Sequence, residues 1–266
     1  MTLRREIEGR LALFEDLAGI LGAMRSFALA ELHRVTRREE AQQQAVQELT
    51  GTLQDMAAFL PPQVDAGNDI WLVLGSVRGF CGSFNEDVVS AWQAGGGAGH
   101  LTIVVGERLA STMPDDAQLI QVRGAEGGLD AAMTIDRILA AVEQARGAAK
   151  GPHGLVACLR DDKGTRVQRL LPLPVATGKT PMPPLVNEPA ALVASRVAEH
   201  FLLHMLLALL LRSIRVENYM RLMQMENALQ HLEHGSEDMT RQRNRMRQEE
   251  IVEEIELMSR PGVGMH

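Results

Sequence analysis

The sequence predicts an α/β fold in which long N- and C-terminal helices form an antiparallel coiled coil around an inserted α/β domain of mainly parallel strands. Three observations predict it. Residues 1 to about 60 contain no proline and repeat apolar residues at three- and four-residue steps. From Pro189 the chain runs to Arg260 without another proline, with a similar repeat. Between them lie short apolar runs bounded by Gly, Pro or charge.

In the first block, Leu3, Ile7, Phe14, Leu17, Leu21, Met24 and Ala28 have the spacing of a coiled-coil seam. The pattern lapses through the charged run Glu31 to Glu40. It resumes at Val46, Leu49, Leu53, Met56 and Leu60, before Pro61 and Pro62 stop it. At about 1.5 Å per residue, such a helix would be on the order of 85 Å long, more than a compact domain of this size can bury end to end.

In the middle block, Ile70 to Leu74, Leu101 to Val105, Leu119 to Val122 and Gly154 to Leu159 read as strands buried on both faces. Helical stretches at Asn85 to Gln93 and Leu129 to Arg146 alternate with them, so the layer should be Rossmann-like. Leu170 to Pro184 carries five prolines and is expected to return as a strand and then a loop. In the third block, Val193, Val197, His204, Leu207, Leu211, Ile214, Met225, Ala228 and Leu232 form the seam, which Met239, Met246, Ile255 and Met258 extend less regularly. Gly235 costs about 1 kcal/mol against Ala inside a helix, so a bend or break is expected there. The expected parts are therefore 1–62, 68–186 and 189–266.

Bulk properties narrow the function. With 45% apolar and 23% charged residues the chain can bury an ordinary core, and a net charge of −7 disfavours a phosphate-neutralising, nucleic-acid-binding surface. Cys81 and Cys158 fit neither a CxxC pair nor a disulfide framework, as in a reducing compartment. The N-terminal arginines precede no continuous apolar stretch of signal-peptide type. The apolar run Phe201 to Leu211 is interrupted by His204, ends at Arg212 and is short for a membrane span, so any membrane association is expected through a partner.

The candidate chemical motifs are weak. Gly178-Lys179-Thr180 resembles the end of a phosphate-binding loop, but Leu173 occupies the place of the required glycine and Pro181 follows where a helix should continue. Gly79 to Ser83 has the wrong spacing for a nucleophile elbow. His200 and His204 share a helix face, yet lack an intervening general-base Glu and an obvious third ligand, so they read as seam histidines. Arg241, Arg243, Arg245 and Arg247 alternate, which on a helix spreads them over several faces. No catalytic residue, metal ligand or cofactor is expected.

Ser76 to Val89, SVRGFCGSFNEDVV, resembles the strand-to-helix turn of ATP synthase gamma subunits, matched by Arg78, Gly79, Cys81, Gly82 and Asn85. Glu217, Arg221, Met225, Asn227 and Ala228 are similar to that family's Glu-x-x-x-Arg-Met-x-x-Met-x-Asn-Ala. Asn244, Arg247, Gln248, Ile251, Glu254 and Ile255 match its closing pattern without a gap, and Ala23 and Met24 match its first helix. Departures mark a divergent branch, such as the alternative (N-type) synthases found beside a standard one: Glu15 to Gly22 replaces a basic, polar stretch, and Val77, Arg243 and Val252 stand for the usual Asp, Tyr and Ser or Thr.

The resemblance implies a non-catalytic central-stalk rotor of an F-type ATP synthase, coupling ion flow to ATP synthesis or hydrolysis. The implied partners are the alpha and beta subunits of the catalytic hexamer, the epsilon subunit and the membrane c-ring, on the cytoplasmic face of a bacterial inner membrane. Met24, Arg221, Arg247, Gln248 and Glu254 would take part in rotor–stator contacts. From the residues alone, a free-standing α/β mononucleotide-binding enzyme and a coiled-coil scaffold remain alternatives, the first requiring polar groups converging beyond the strand ends.

Overall fold

The computed structural model describes residues 2–62, 67–115, 117–148, 153–175 and 185–259. The chain divides into two compact units: Met1–Phe27 with Leu222–His266, and Ala28–Arg221. Two helices contribute to both, α1 (Thr2–Asp55) and α5 (Ala190–Ser259).

In the first unit these helices pair antiparallel. Arg4 meets Glu250 at 3.1 Å, Phe14 lies against Gly235, and Arg25 meets Glu226 at 3.2 Å, so partner numbers fall as α1 advances. Gly235 does not break α5, contrary to expectation. A Cβ there would sit 2.7 Å from the Phe14 ring, so the missing side chain makes room for an aromatic of the opposite helix. Packing thus outweighs the propensity cost that suggested a bend.

The second unit holds a five-stranded sheet: β1 (Asn68–Leu74), β2 (Thr102–Val105), β3 (Leu119–Val122), β4 (His153–Asp161) and β5 (Gly164–Leu171). The order is β3-β2-β1-β4-β5, with the first four parallel and β5 antiparallel to β4. Helices α2 (Phe84–Ala94), the short α3 (Glu107–Ala110) and α4 (Ala131–Ala148) fill the connections, giving the α/β class expected. β1 packs Trp71 and Val73 against Phe84, Val88 and Trp92 of α2 on one face. Its other face packs Ile70, Leu72 and Leu74 with α4 and with Leu206, Leu209, Leu210 and Ile214 of α5. Among the described residues α5 alone is long and apolar enough to cross a membrane, with a window of mean hydropathy 1.6. Of that window 39% is buried, with Leu206, Leu209, Leu210, Leu211 and Ile214 in the core against the sheet.

The last strand lies earlier than expected. β5 ends at Leu171, ahead of the prolines, and follows a tight hairpin in which Asp161 Oδ1 accepts the Lys163 N–H at 2.9 Å and Gly164 takes φ +126°. As an edge strand with an exposed side, Thr165 to Arg169 lacks the apolar run of a doubly buried strand. The short helix α3 had no anticipated counterpart. Gly178-Lys179-Thr180 lies outside the described residues.

The lapse in the α1 seam does not interrupt the helix. Glu31 and Glu39 are buried: Glu31 Oε1 accepts the Gly128 N–H at 2.7 Å, and Glu39 receives Arg212 at 2.9 Å and also Arg215. Here α1 lies beside the sheet layer and α5, and these polar contacts flank Val35, which is fully buried in the core. His204 faces α1 as a seam histidine would, with Gln42 Nε2 donating to its Nδ1 at 2.6 Å; His200 is exposed.

Candidate functional site

β1 ends at Leu74 and turns through Gly75 to Ser83 into α2 at the carboxyl end of the parallel sheet. Asn85 holds this turn from within: its Oδ1 accepts the Ser76 N–H at 3.0 Å and its Nδ2 donates to Ser76 Oγ at 2.9 Å. Cys81 Sγ also donates to Ser76 Oγ, at 3.5 Å, and burial pushes the Cys81 thiol up from its ordinary value. Phe80 and Gly82 both have φ +61°, a left-handed conformation that a non-glycine residue keeps only when its surroundings hold it there.

What holds it is α5. Arg221 Nε donates to Gly79 O at 3.1 Å, its Nη1 donates to Asn218 Oδ1 at 2.9 Å, and its Nη2 pairs with Glu217. Glu217 Oε1 also accepts the Arg78 N–H at 3.4 Å. Glu217, Asn218 and Arg221 are each at most 4% exposed. Burial pushes the Glu217 carboxyl above its ordinary value, and Arg221 opposes that shift. Arg78 reaches outward to Glu126 at 2.9 Å, and its guanidinium holds the Glu126 carboxyl below the usual range.

The turn residues Arg78, Gly79, Cys81, Gly82 and Asn85 therefore form one structure, and Arg221 belongs to it. The other candidates belong to the other unit. Met24 is half-buried on α1, whereas Arg247, Gln248 and Glu254 occupy exposed positions on α5. Arg25, next to Met24, pairs with Glu226, which precedes Arg247 by about 30 Å of helix. Sequence reasoning missed Ser76, Phe80 and Asn218. Asn218 carried one usable signal: it is a polar residue on the buried side of an apolar helix.

The place where a mononucleotide-binding fold would seat a phosphate is filled. Asn85 occupies the Ser76 amide, Leu109 packs where a Gly75 side chain would stand, and a Cβ on Gly106 would lie 2.8 Å from the carbonyls of Gly75 and Ser76. Among the described residues no cluster of three metal-ligating side chains occurs. Among the described residues the turn is a packed joint between the sheet and α5.

Residues 4–258 match the family model described as ATP synthase. No curated protein matches the chain. In solved structures it is similar to a chain of the Euglena gracilis mitochondrial ATP synthase rotor in rotational state 1, at TM-score 0.63 and 15% identity, covering 94% of this chain and 99% of that one. It is also similar to a chain of the Euglena OSCP/F1/c-ring assembly in rotational state 3, at TM-score 0.61 and 15% identity, covering 97% and 92%. A third likeness is to the Tetrahymena thermophila mitochondrial central stalk and c-ring structure, at TM-score 0.55 and 20% identity, covering 79% and 99%. At these identities the solved structures establish the fold alone, but the family match spans both terminal helices and the sheet, and the chain belongs to the gamma-subunit family of ATP synthases.

Proposed function

We propose that this chain is the central-stalk rotor of an F-type ATP synthase, coupling ion flow through a membrane ring to ATP synthesis or hydrolysis in a catalytic hexamer. The observation that carries this reading is the family match over residues 4–258. The subunit itself is non-catalytic: the strand-end crevice that an α/β enzyme would use is packed with its own side chains. In this reading 1–62 and 189–266 are the shaft, 68–186 is the foot, and the foot meets the c-ring and epsilon subunit on the cytoplasmic face of a bacterial inner membrane.

An asymmetric helix pair inside a ring of alpha and beta subunits presents a different face to each. Turning it changes the differential interaction energy that favours one nucleotide-binding conformation over another. Met24, Arg247, Gln248 and Glu254 make rotor–stator contacts directly. Arg221, whose guanidinium is spent inside the chain, contributes by fixing the Gly79 turn to the shaft helix. The test is reconstitution with the alpha, beta and epsilon subunits and the ring. Arg247→Ala and Glu254→Ala should lower ATP-driven ion pumping several-fold while assembly is unchanged. A chain that never joins a nucleotide-hydrolysing hexamer would refute the assignment.

A further inference from the structure

Within the α/β unit, α1 is gripped from both edges of the sheet. The loop that leaves the edge strand β3 takes it at one place: Glu31 Oε1 accepts the Gly128 N–H at 2.7 Å, and Arg38 Nη1 donates to the Gly128 carbonyl. Glu39 lies about 12 Å beyond Glu31 along the helix, and it is tied to the other edge. There Arg215 of α5 donates its Nε to Glu39 Oε2, while its Nη1 and Nη2 donate to the two carboxylate oxygens of Asp162, the first at 2.8 Å, in the hairpin that opens β5. Among the ion pairs of the described residues, Arg215 alone joins α1, α5 and an edge of the sheet through one side chain.

Apolar burial is non-directional, so a helix held by it alone can turn or slide against a sheet by exchanging one apolar contact for another. A bidentate guanidinium–carboxylate pair fixes direction as well as distance. The difference matters for α1, because Val35 is its only buried residue in the core that α5 and the sheet share. Its polar grips must therefore hold it in place. The Arg215 end of the clamp is shielded from water, with the Arg215 side chain 19% exposed and that of Glu39 4%. We propose that Arg215 is a torque-bearing clamp, holding both terminal helices to the β5 edge of the sheet through Glu39 and Asp162, so that they turn with the α/β unit and do not slip against it. This role rests on the rotor reading, in which work passes between the α/β unit and the helices as rotation.

Angular fluctuation of single assembled rotors tests it. The full chain carrying Glu143→Cys, at an exposed position of α4, is assembled with the alpha, beta and epsilon subunits. The hexamer is fixed to a surface, and a bead on the introduced thiol reports the angle of the α/β unit. During pauses between steps, the mean-square fluctuation should rise at least twofold in Asp162→Ala and in Arg215→Met, and stay at the parent value in Asp162→Glu, which keeps the carboxylate. Arg215→Met leaves Glu39 paired with Arg212 at 2.9 Å. The Asp162 side chain is 61% exposed and an exposed pair adds little to stability, so the urea midpoint of Asp162→Ala should match that of the parent. Equal fluctuation in Asp162→Ala and the parent, or a rise in that variant accompanied by a lower urea midpoint, would overturn the clamp. A parent bead that never rotates on ATP would instead refute the rotor reading, and the clamp with it, before any clamp residue is changed.

Discussion

Replacing Arg221 by Met removes the one side chain that joins the Gly79 turn, Asn218 and Glu217, and leaves a carboxyl with no countercharge in a site where it is 4% exposed. Breaking one side of a buried ion pair costs about 3–5 kcal/mol. A second route gives a similar figure. The stranded Glu217 can escape only by taking a proton, and protonating an ordinary glutamic acid at pH 7, about 2.7 units above its usual value, costs about 3.7 kcal/mol. The loss at pH 7 should therefore be about 4 kcal/mol.

The pH dependence has a defined sign. Burial raises the Glu217 carboxyl in the folded chain and, without Arg221, only the backbone N–H groups of Arg78 and Val77 oppose that shift. A raised carboxyl contributes its full share of stability below its unfolded value and loses it as pH rises through the folded one. The deficit of the variant should accordingly shrink by about 1.4 kcal/mol for each unit that pH falls from 7 toward the ordinary carboxylate range. Urea unfolding of the full chain, followed by fluorescence, reads the correct unit, because Trp71 and Trp92 are both buried in it. The double variant Glu217→Leu/Arg221→Met should recover at least half of the loss, since it removes both charges. A deficit below about 1 kcal/mol at pH 7, or one independent of pH, would show that the pair does not hold the turn.

Three further outcomes follow from the packing. Glu39→Gln should destabilise the α/β unit by about 2–4 kcal/mol, because Arg212 and Arg215 both lean on that buried carboxylate; the same urea titration measures it, and a change under 0.5 kcal/mol would contradict it. Gly235→Leu should cost about 1–3 kcal/mol through overpacking against Phe14, read as a lower helix-melting temperature by circular dichroism, with relief in Gly235→Leu/Phe14→Ala. Burial pushes the Cys158 thiol up to about 12, so it should stay unreactive toward a disulfide reagent at pH 8 until the chain unfolds; immediate labelling of Cys158 in the native chain would refute its placement.

How far the fold was legible depended on which physical term dominated at each place. β1, β2 and β4 are buried on both faces, so their apolar runs stood out, and the alternation with helices followed; the edge strand β3 is only partly buried but keeps a short apolar run. β5 was misplaced because an edge strand needs no such run, and its signal lay in the Asp-Asp-Lys-Gly turn before it. The terminal helices were visible from their period, but periodicity carries no information about polar packing. Nothing in the period marked Glu31 and Glu39 as buried, yet inside the fold the Gly128 N–H and Arg34 meet Glu31, and Arg212 and Arg215 meet Glu39.

The joint was half legible for a related reason. Arg78, Gly79, Cys81, Gly82 and Asn85 are contiguous, and a turn into a helix is a local event that residue types can announce. The clamp on that turn is not local: Arg221 reaches Gly79 across 142 positions of sequence. No spacing rule links an arginine in a helix to a carbonyl so far away, and only the family resemblance gave Arg221 a place among the rotor–stator contacts. The buried Arg221 guanidinium, with each of its three nitrogens bonded inside the chain, has little freedom to meet a neighbour, and its substitution should act through the rigidity of the turn. Arg247 and Glu254, exposed on α5, retain that freedom. Substitutions there should alter partner contacts at little cost in stability, whereas substitution of Arg221 should alter stability first.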